Sequence, residues 1–333
     1  MNDPSFDHIF ELSDTVGIFE HADHSAPRLE HGYCTDDVAR LLIVIVREPA
    51  PSKPLRDLGR TALRFLSDAQ GVDGKIRNRR DAAGRWHGKR GVEDCWGRAV
   101  WAFGSAARRA PEDWMRQSAL AYFDHSVRQR SPWPRAMAFA SLGAAEVLTN
   151  DARHPYARDL LADTVVAIGP VSSNPDWPWP EPRLTYANAV FPEVLIAAGH
   201  HLARHDILED GLTLLRWLLD RETNDGHLST TPVGGSGPGD LPPGFDQQSI
   251  EIAAMADACA RAADVTGDTG WLRGIELAAK WFTGDNDAGA VMWDPETGGG
   301  YDGLHETGPN LNQGAESTLA LCATQQLART VAR

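Results

Sequence analysis

Residues 38–46 read Val-Ala-Arg-Leu-Leu-Ile-Val-Ile-Val, and residues 55–69 read Leu-Arg-Asp-Leu-Gly-Arg-Thr-Ala-Leu-Arg-Phe-Leu-Ser-Asp-Ala. The first run is apolar on almost every face, so as a helix it must be buried. The second carries its apolar residues on one stripe, so as a helix it covers the first from outside. This alternation repeats along the chain. Apolar runs return at Ala99–Ala107, Ala136–Leu148, Ala187–Gly199, Ile250–Ala262 and Ala315–Ala323. Striped segments return at Glu112–Val127, Tyr156–Ile168, Ile207–Asp220 and Trp271–Phe282, and the short Phe6–Leu12 supplies a sixth outer position. Inner helices starting near residues 35, 93, 135, 186, 247 and 313 predict an all-α (α/α)6 barrel, a toroid of helical hairpins. An open helical solenoid is the alternative. Strand signal is confined to Lys75–Arg79 with Gly84–Trp86, a hairpin around residues 81–84. No linker composition interrupts the chain, so residues 1–333 read as one domain, against a length prior of about two.

The composition narrows the function. Lys and Arg total 32 against 46 Asp and Glu, a net charge of −14. Nucleic acids and anionic leaflets are bound by neutralising phosphates with basic side chains, so neither is expected as a partner. No apolar run reaches the about 18 residues of a membrane span, and Met1-Asn2-Asp3-Pro4 has no leader character. Cys34, Cys95, Cys259 and Cys322 are widely separated, which predicts reduced thiols and a cytoplasmic location.

Long loops at residues 13–34, 71–92, 169–185, 222–246 and 284–312 precede the inner helices. Ordered loops of this length are usually functional, and these gather at one mouth over the inner-helix N-termini. Tyr33, Asp36 and Asp37 stand at the first inner helix, Asp94 at the second, and Tyr186 and Asn188 at the fourth. Gln248 and Glu251 stand at the fifth, Gln313 and Glu316 at the sixth, and Tyr301 in the last loop. Such acids, amides and aromatics suit a neutral polyhydroxylated ligand. Among the 11 tryptophans, Trp179 in Trp177-Pro178-Trp179-Pro180 is the candidate to stack on a sugar ring, although indoles also pack under loops.

Each acid also has an ordinary reading. Thr35-Asp36-Asp37 is a fair helix cap, and Asp94 with Arg98 has the spacing of a helix ion pair. Glu251 can pair with Arg98 or Arg40, and Glu316 can bond a loop backbone. Yet Glu251 sits one turn inside Ile-Glu-Ile-Ala-Ala-Met-Ala, where burial raises a carboxyl pKa, as a general acid at neutral pH requires. Glu316 is its rival. Asp36 or Asp37, at a hydrated helix start, suits the base. Two such carboxyls about 6.5–9.5 Å apart make an inverting glycoside hydrolase. No HExxH, P-loop or GxSxG occurs, so neither metal nor organic cofactor is expected. Residues 232–244, with Gly234-Gly235-Ser236-Gly237-Pro238-Gly239 inside them, read as a flexible lid.

Asp14-Thr15-Val16-Gly17-Ile18-Phe19-Glu20-His21-Ala22 and Gly32-Tyr33-Cys34-Thr35-Asp36-Asp37-Val38-Ala39-Arg40 resemble an α/α-toroid domain fused to some bacterial glycosyltransferases. Gly299-Gly300-Tyr301-Asp302-Gly303-Leu304 and Asn312-Gln313-Gly314-Ala315-Glu316-Ser317-Thr318 match it too. The stand-alone form is similar to the mycobacterial methylmannose polysaccharide hydrolases. That resemblance implies an (α/α)6 fold, endo-cleavage of α-1,4-linked, partly 3-O-methylated mannan, and an acid pair at Asp36 and Glu251. The expected partner is then an oligo- or polysaccharide, with a homodimer left open. The alternatives are a non-catalytic glycan-binding toroid and a sugar epimerase or isomerase on the same fold. The latter class calls for paired inner-helix histidines near the mouth, which the sequence does not offer.

Overall fold

The computed structural model describes residues 3–331; Met1 and Asn2, the first half of the stretch read for a leader, lie outside them. In chain order the helices are α1 (Asp7–Glu11), α2 (Thr35–Arg47), α3 (Lys53–Ala69), α4 (Asp94–Arg109), α5 (Asp113–Ser126) and α6 (Pro134–Asn150). They continue as α7 (Pro155–Ile168), α8 (Val190–Leu202), α9 (His205–Arg221), α10 (Ser249–Thr266), α11 (Leu272–Phe282) and α12 (Ala315–Val331). Each even-numbered helix packs on the next, and α12 packs back on α2, which closes the ring. The odd-numbered helices lie outside, with α3 on α2, α5 on α4, α7 on α6, α9 on α8, α11 on α10 and α1 on α12. This is the all-α (α/α)6 barrel that the alternation predicts. The contact between α12 and α2 excludes the open solenoid.

The two helix textures behave as the hydrophobic effect requires. Inner helix α6 buries every residue from Arg135 to Leu148. Outer helix α3 buries Leu55, Leu58, Ala62, Leu63, Phe65, Leu66 and Ala69, one stripe at helical period. Local chemistry sets the boundaries. Pro134 and Pro155 occupy first-turn positions, where the missing N–H costs nothing, and Ser52 caps α3 by accepting from Leu55 N at 3.4 Å. Helix α8 starts later than its apolar run. Ala187 takes a φ of 45°, a conformation that no helix residue can hold, and the helix waits until Val190.

Helices α4 and α6 meet backbone to backbone. A Cβ on Gly104 would lie 2.2 Å from Gly143 O, one on Gly143 would lie 2.3 Å from Val100 O, and one on Gly97 would lie 2.3 Å from Ala136 O. Gly143→Ala is therefore expected to destabilise the fold by about 1–3 kcal/mol through overpacking, more than the ~1 kcal/mol gained in helix propensity. A lower urea midpoint at unchanged slope is the signature. An unchanged or raised midpoint would show that the two helices can part.

Strands are short and sit at the mouth. Arg79–Arg80 pairs with Trp86–His87, so the expected hairpin is present, with both strands shorter and shifted toward the C-terminus. Tyr33–Cys34 joins it with Cys34 opposite Arg79, tying the start of α2 to that hairpin. Gly303–His305 pairs with Gly308–Asn310 in the loop before α12. Among the described residues no helix is long and apolar enough to cross a membrane.

Candidate functional site

A cavity of about 510 Å³ opens at the inner-helix N-termini. Asp36, Asp37 and Arg40 of α2, Asp94 and Arg98 of α4, and Glu316 and Ser317 of α12 line it. Gln248, Ser249 and Ile250 enter at the start of α10, and Tyr186 precedes α8. The loops add Glu20, His21, Arg79, Asp246, Asp302, His305 and Asn310.

Three arginines set the electrostatics. Arg40 donates from Nη1 to Asp37 Oδ1 and from Nη2 to Glu316 Oε2, both at 2.5 Å, and so bridges the first and sixth inner helices. Burial pushes the Asp37 carboxyl up to about 7, with Arg40 pulling the other way. Arg79 pairs with Glu20. Arg98 is buried, with its guanidinium carbon 3.9 Å from the Phe139 ring centroid. Its Nε stands 3.5 Å from Asp36 Oδ1, which has no hydrogen-bond partner among the described residues. The other Asp36 oxygen accepts from the Cys34 thiol at 3.2 Å. The ion pair read between Asp94 and Arg98 does not form: Asp94 Oδ2 instead accepts from Tyr186 OH at 2.6 Å. Thr35 is not a cap, since its hydroxyl donates to Arg77 O at 2.7 Å.

Glu251 lies in the wall rather than on its surface. It is 4% exposed, and burial pushes its carboxyl up to about 8, the neighbouring Glu222 adding to the rise. It pairs with neither Arg98 nor Arg40. Its Oε1 accepts from Ala187 N, and its Oε2 accepts from Asn188 N at 3.1 Å and Asn188 Nδ2 at 3.3 Å. These bonds hold the strained Ala187 directly behind Tyr186. Glu316, the rival, is tied to Arg40 rather than to a loop backbone, and its side chain is 39% exposed.

The structure thus brings Asp36, Asp37, Asp94, Tyr186, Gln248 and Glu316 together, and leaves the other expected contacts behind the lining. Trp179 is buried under its loop, stacked on Phe191 and Trp217 at 5.6 and 6.0 Å between centroids. Its prolines order a packing element, not a sugar platform. Tyr33 is buried with its OH donating to Asp14 Oδ2 at 2.6 Å. Asn188 is fully buried and serves Glu251 and Thr185 N. Gln313 fastens Asp294 and Thr297. Tyr301 packs against a core cluster around Trp281 and Leu304.

Histidine is where residue-type reasoning fell short. His21 and His305 both reach the cavity from loops, and His305 Nδ1 is paired with Asp246. Their signal was position in the long pre-helix loops rather than spacing. The 232–244 loop is less free than its glycines imply. Ser236 exchanges backbone bonds with Leu184 at 2.8 and 3.0 Å, and Arg221 Nη2 donates to Gly237 O at 2.7 Å.

One donor set has the spacing of a metal site: Glu20, Cys34 and Asp37 lie within 4.8 Å of one another. It does not fit a cation. Arg79 and Arg40 already neutralise the two carboxylates, and burial beside Asp36 and Asp37 raises the Cys34 thiol well above its ordinary pKa.

No family model matches the chain, and no curated protein matches it in sequence. Solved structures do match in fold. A cellobiose 2-epimerase from Bacillus thermoamylovorans is similar at a TM-score of 0.73 and 11% identity, over 97% of this chain and 95% of that one. A sugar epimerase from a ruminal bacterium is similar at 0.72 and 11%, over 97% and 95%. The GH76 alpha-mannanase of Bacteroides thetaiotaomicron is similar at 0.64 and 10%, over 97% and 94%. At such identities the likeness shows the toroid fold.

Proposed function

We propose that the protein is a glycoside hydrolase that cleaves within a neutral α-linked glycan, with Asp36 and Glu251 as its carboxyl pair. The observation that carries this reading is the state of Glu251. Burial and the neighbouring Glu222 push its carboxyl up to about 8 against the opposing pull of the Ala187 and Asn188 N–H groups, which favours the protonated form at neutral pH. Glu316, held by Arg40, is poorly suited to carry one. Ile250 lines the cavity immediately before Glu251, and Tyr186 lines it immediately before Ala187. Substrate that draws the Tyr186 turn aside exposes the acid, and catalytic contacts commonly tighten only with substrate bound. Asp36, which lines the cavity with its side chain 15% exposed, activates water on the other face, which gives inversion.

The acid-rich lining favours uncharged sugars over phosphorylated or uronic ones. The resemblance to methylmannose polysaccharide hydrolases, and the alpha-mannanase among the fold neighbours, support partly methylated α-1,4-mannan as substrate. Four buried, unbonded cysteines support a reducing, cytoplasmic setting. The second reading, a sugar epimerase, is favoured by His21 and His305 on the lining and by the two epimerases among the fold neighbours.

Incubation with α-1,4-methylmannan and with free mannose and cellobiose separates them. The hydrolase releases shorter chains whose first product, followed by NMR, is the inverted anomer. Interconversion of free sugars without chain shortening would establish the epimerase instead. A retained first anomer would replace the water-activating base by a nucleophile.

A further inference from the structure

A second polar cavity, of about 170 Å³, lies between the C-terminal end of α9 and the 232–244 loop. Its wall carries Arg221, Glu222, Thr230 and Thr231, with Pro232 and Pro242 as apolar faces. The volume far exceeds the about 10–15 Å³ that one water occupies. Thr230 is 1% exposed, yet its hydroxyl has no hydrogen-bond partner among the described residues. That hydroxyl is sealed from water, so it bonds an occupant only when the 229–231 segment shifts to bring it to the cavity. Glu222 is also buried, and its Oε1 accepts from Thr231 N at 3.0 Å and Thr231 Oγ1 at 2.6 Å. The Arg221 guanidinium carbon lies 4.9 Å from the Trp177 ring centroid and 5.7 Å from that of Trp217. Its Nη2 is spent on Ser236 Oγ, Gly237 O and Asp240 O, so the arginine ties the loop down rather than waiting for an anion.

A carboxyl, a free hydroxyl and two proline faces form the kind of surface that takes a hydroxyl-bearing ring. The same loop separates this pocket from the mouth, for Pro232 and Gly244 wall the pocket while Val233 and Asp246 line the mouth. We propose that this pocket is an accessory subsite holding one pyranose ring of a neutral glycan, with Thr230 and Glu222 bonding its hydroxyls and the 232–244 loop ordered over it. The ligand class rests on the glycan reading of the mouth; the existence of the pocket does not.

The test is titration calorimetry with methyl α-D-mannopyranoside, with inorganic phosphate as the anion control, joined to hydrogen exchange of residues 229–244. The sugar is expected to protect this segment and phosphate to leave it unchanged. Thr230→Val, which keeps shape and removes the hydroxyl, is expected to weaken sugar binding about three- to tenfold and to cut the protection. Glu222→Gln is the second variant should the first fold poorly, and its melting curve is read beside it. Asp36→Asn is expected to leave the protection in place. Absence of sugar protection, protection by phosphate alone, or affinity unchanged in both pocket variants would overturn the proposal. If the mouth hydrolyses nothing while Thr230-dependent protection persists, the hydrolase reading fails and this one stands.

Discussion

Glu251→Gln is expected to abolish turnover while the protein still folds and still binds glycan. Glutamine keeps the size of the side chain, but its single amide oxygen can accept from Ala187 N or from the Asn188 N–H groups and not from both, so a melting curve is read beside the activity. Glutamine has no proton to give. General acid catalysis is typically worth about 10²–10⁴-fold, roughly 3–5 kcal/mol of barrier, and the loss should fall on kcat with little change in KM. Asp36→Asn is expected to behave likewise, and Asp37→Asn, which weakens the clasp on Arg40, should cost less. Glu316→Gln is the control. An inactive Glu316→Gln beside an active Glu251→Gln would move the acid to α12. The pH profile gives a second check. Because the Glu251 carboxyl is raised from its ordinary range to about 8, activity that needs its proton should persist through neutrality and fall as pH rises past that value. The residual activity of the Gln variant should lack this limb.

The largest expected loss of stability lies at the other end of the barrel. There Glu146 of α6, almost fully buried, accepts from Arg108 at 2.8 Å and from Arg109 at 3.0 Å, with Arg261 of α10 3.8 Å away. Arg261 also reaches Glu193 at 3.3 Å, and Arg47 reaches Asp257 at 2.8 Å. Glu146→Gln leaves three guanidinium groups around an uncharged amide. Breaking a buried pair from one side costs about 3–5 kcal/mol, and the lower figure applies here because Arg108 and Arg109 can swing toward solvent. Urea unfolding measures it; a loss under ~1 kcal/mol, the range of exposed pairs, would show that the network is decorative. Despite the opposing pull of desolvation, the arginines depress the Glu146 carboxyl from 4.5 to about 2. A depressed acid contributes stability above its unfolded pKa and loses it as pH falls through the folded one. Wild type should therefore weaken between about pH 4.5 and 2 more steeply than Glu146→Gln. Burial raises the Glu193 carboxyl to about 7, which gives the opposite slope above pH 4.5, so the two limbs can be told apart.

Helices were legible in the sequence because burial leaves a periodic trace within each segment, and all-round apolar runs can only be inner. Boundaries failed where a residue outside the helix decided them, as when Ala187 holds back α8. The site was legible as a place and less so as a set of contacts. Asp36, Asp37, Asp94 and Glu316 followed from helix starts meeting at one mouth. Partners are another matter, because they arrive from far along the chain. Tyr186 takes Asp94 from 92 residues away, and Arg40 takes Glu316 from 276. Trp179 was misread for the same reason: whether an indole meets a sugar or another indole depended on Trp217, in an outer helix. Apolar flanks announced the burial of Glu251, but nothing local announced that its oxygens face a turn.

The glycine contact between α4 and α6 has a mechanical corollary. Side chains between two helices act as a compliant layer, since rotamers can adjust while the backbones slide. Gly97, Gly104 and Gly143 leave no such layer, so this joint is the stiff sector of the ring and any dilation falls on the other joints. Asp94 and Arg98 ride on that stiff sector, whereas Asp36, Glu251 and Glu316 ride on helices separated by side chains. Distance labels on α4 and α6 should keep their separation when glycan is added, and labels on α2 and α10 should report the change against them.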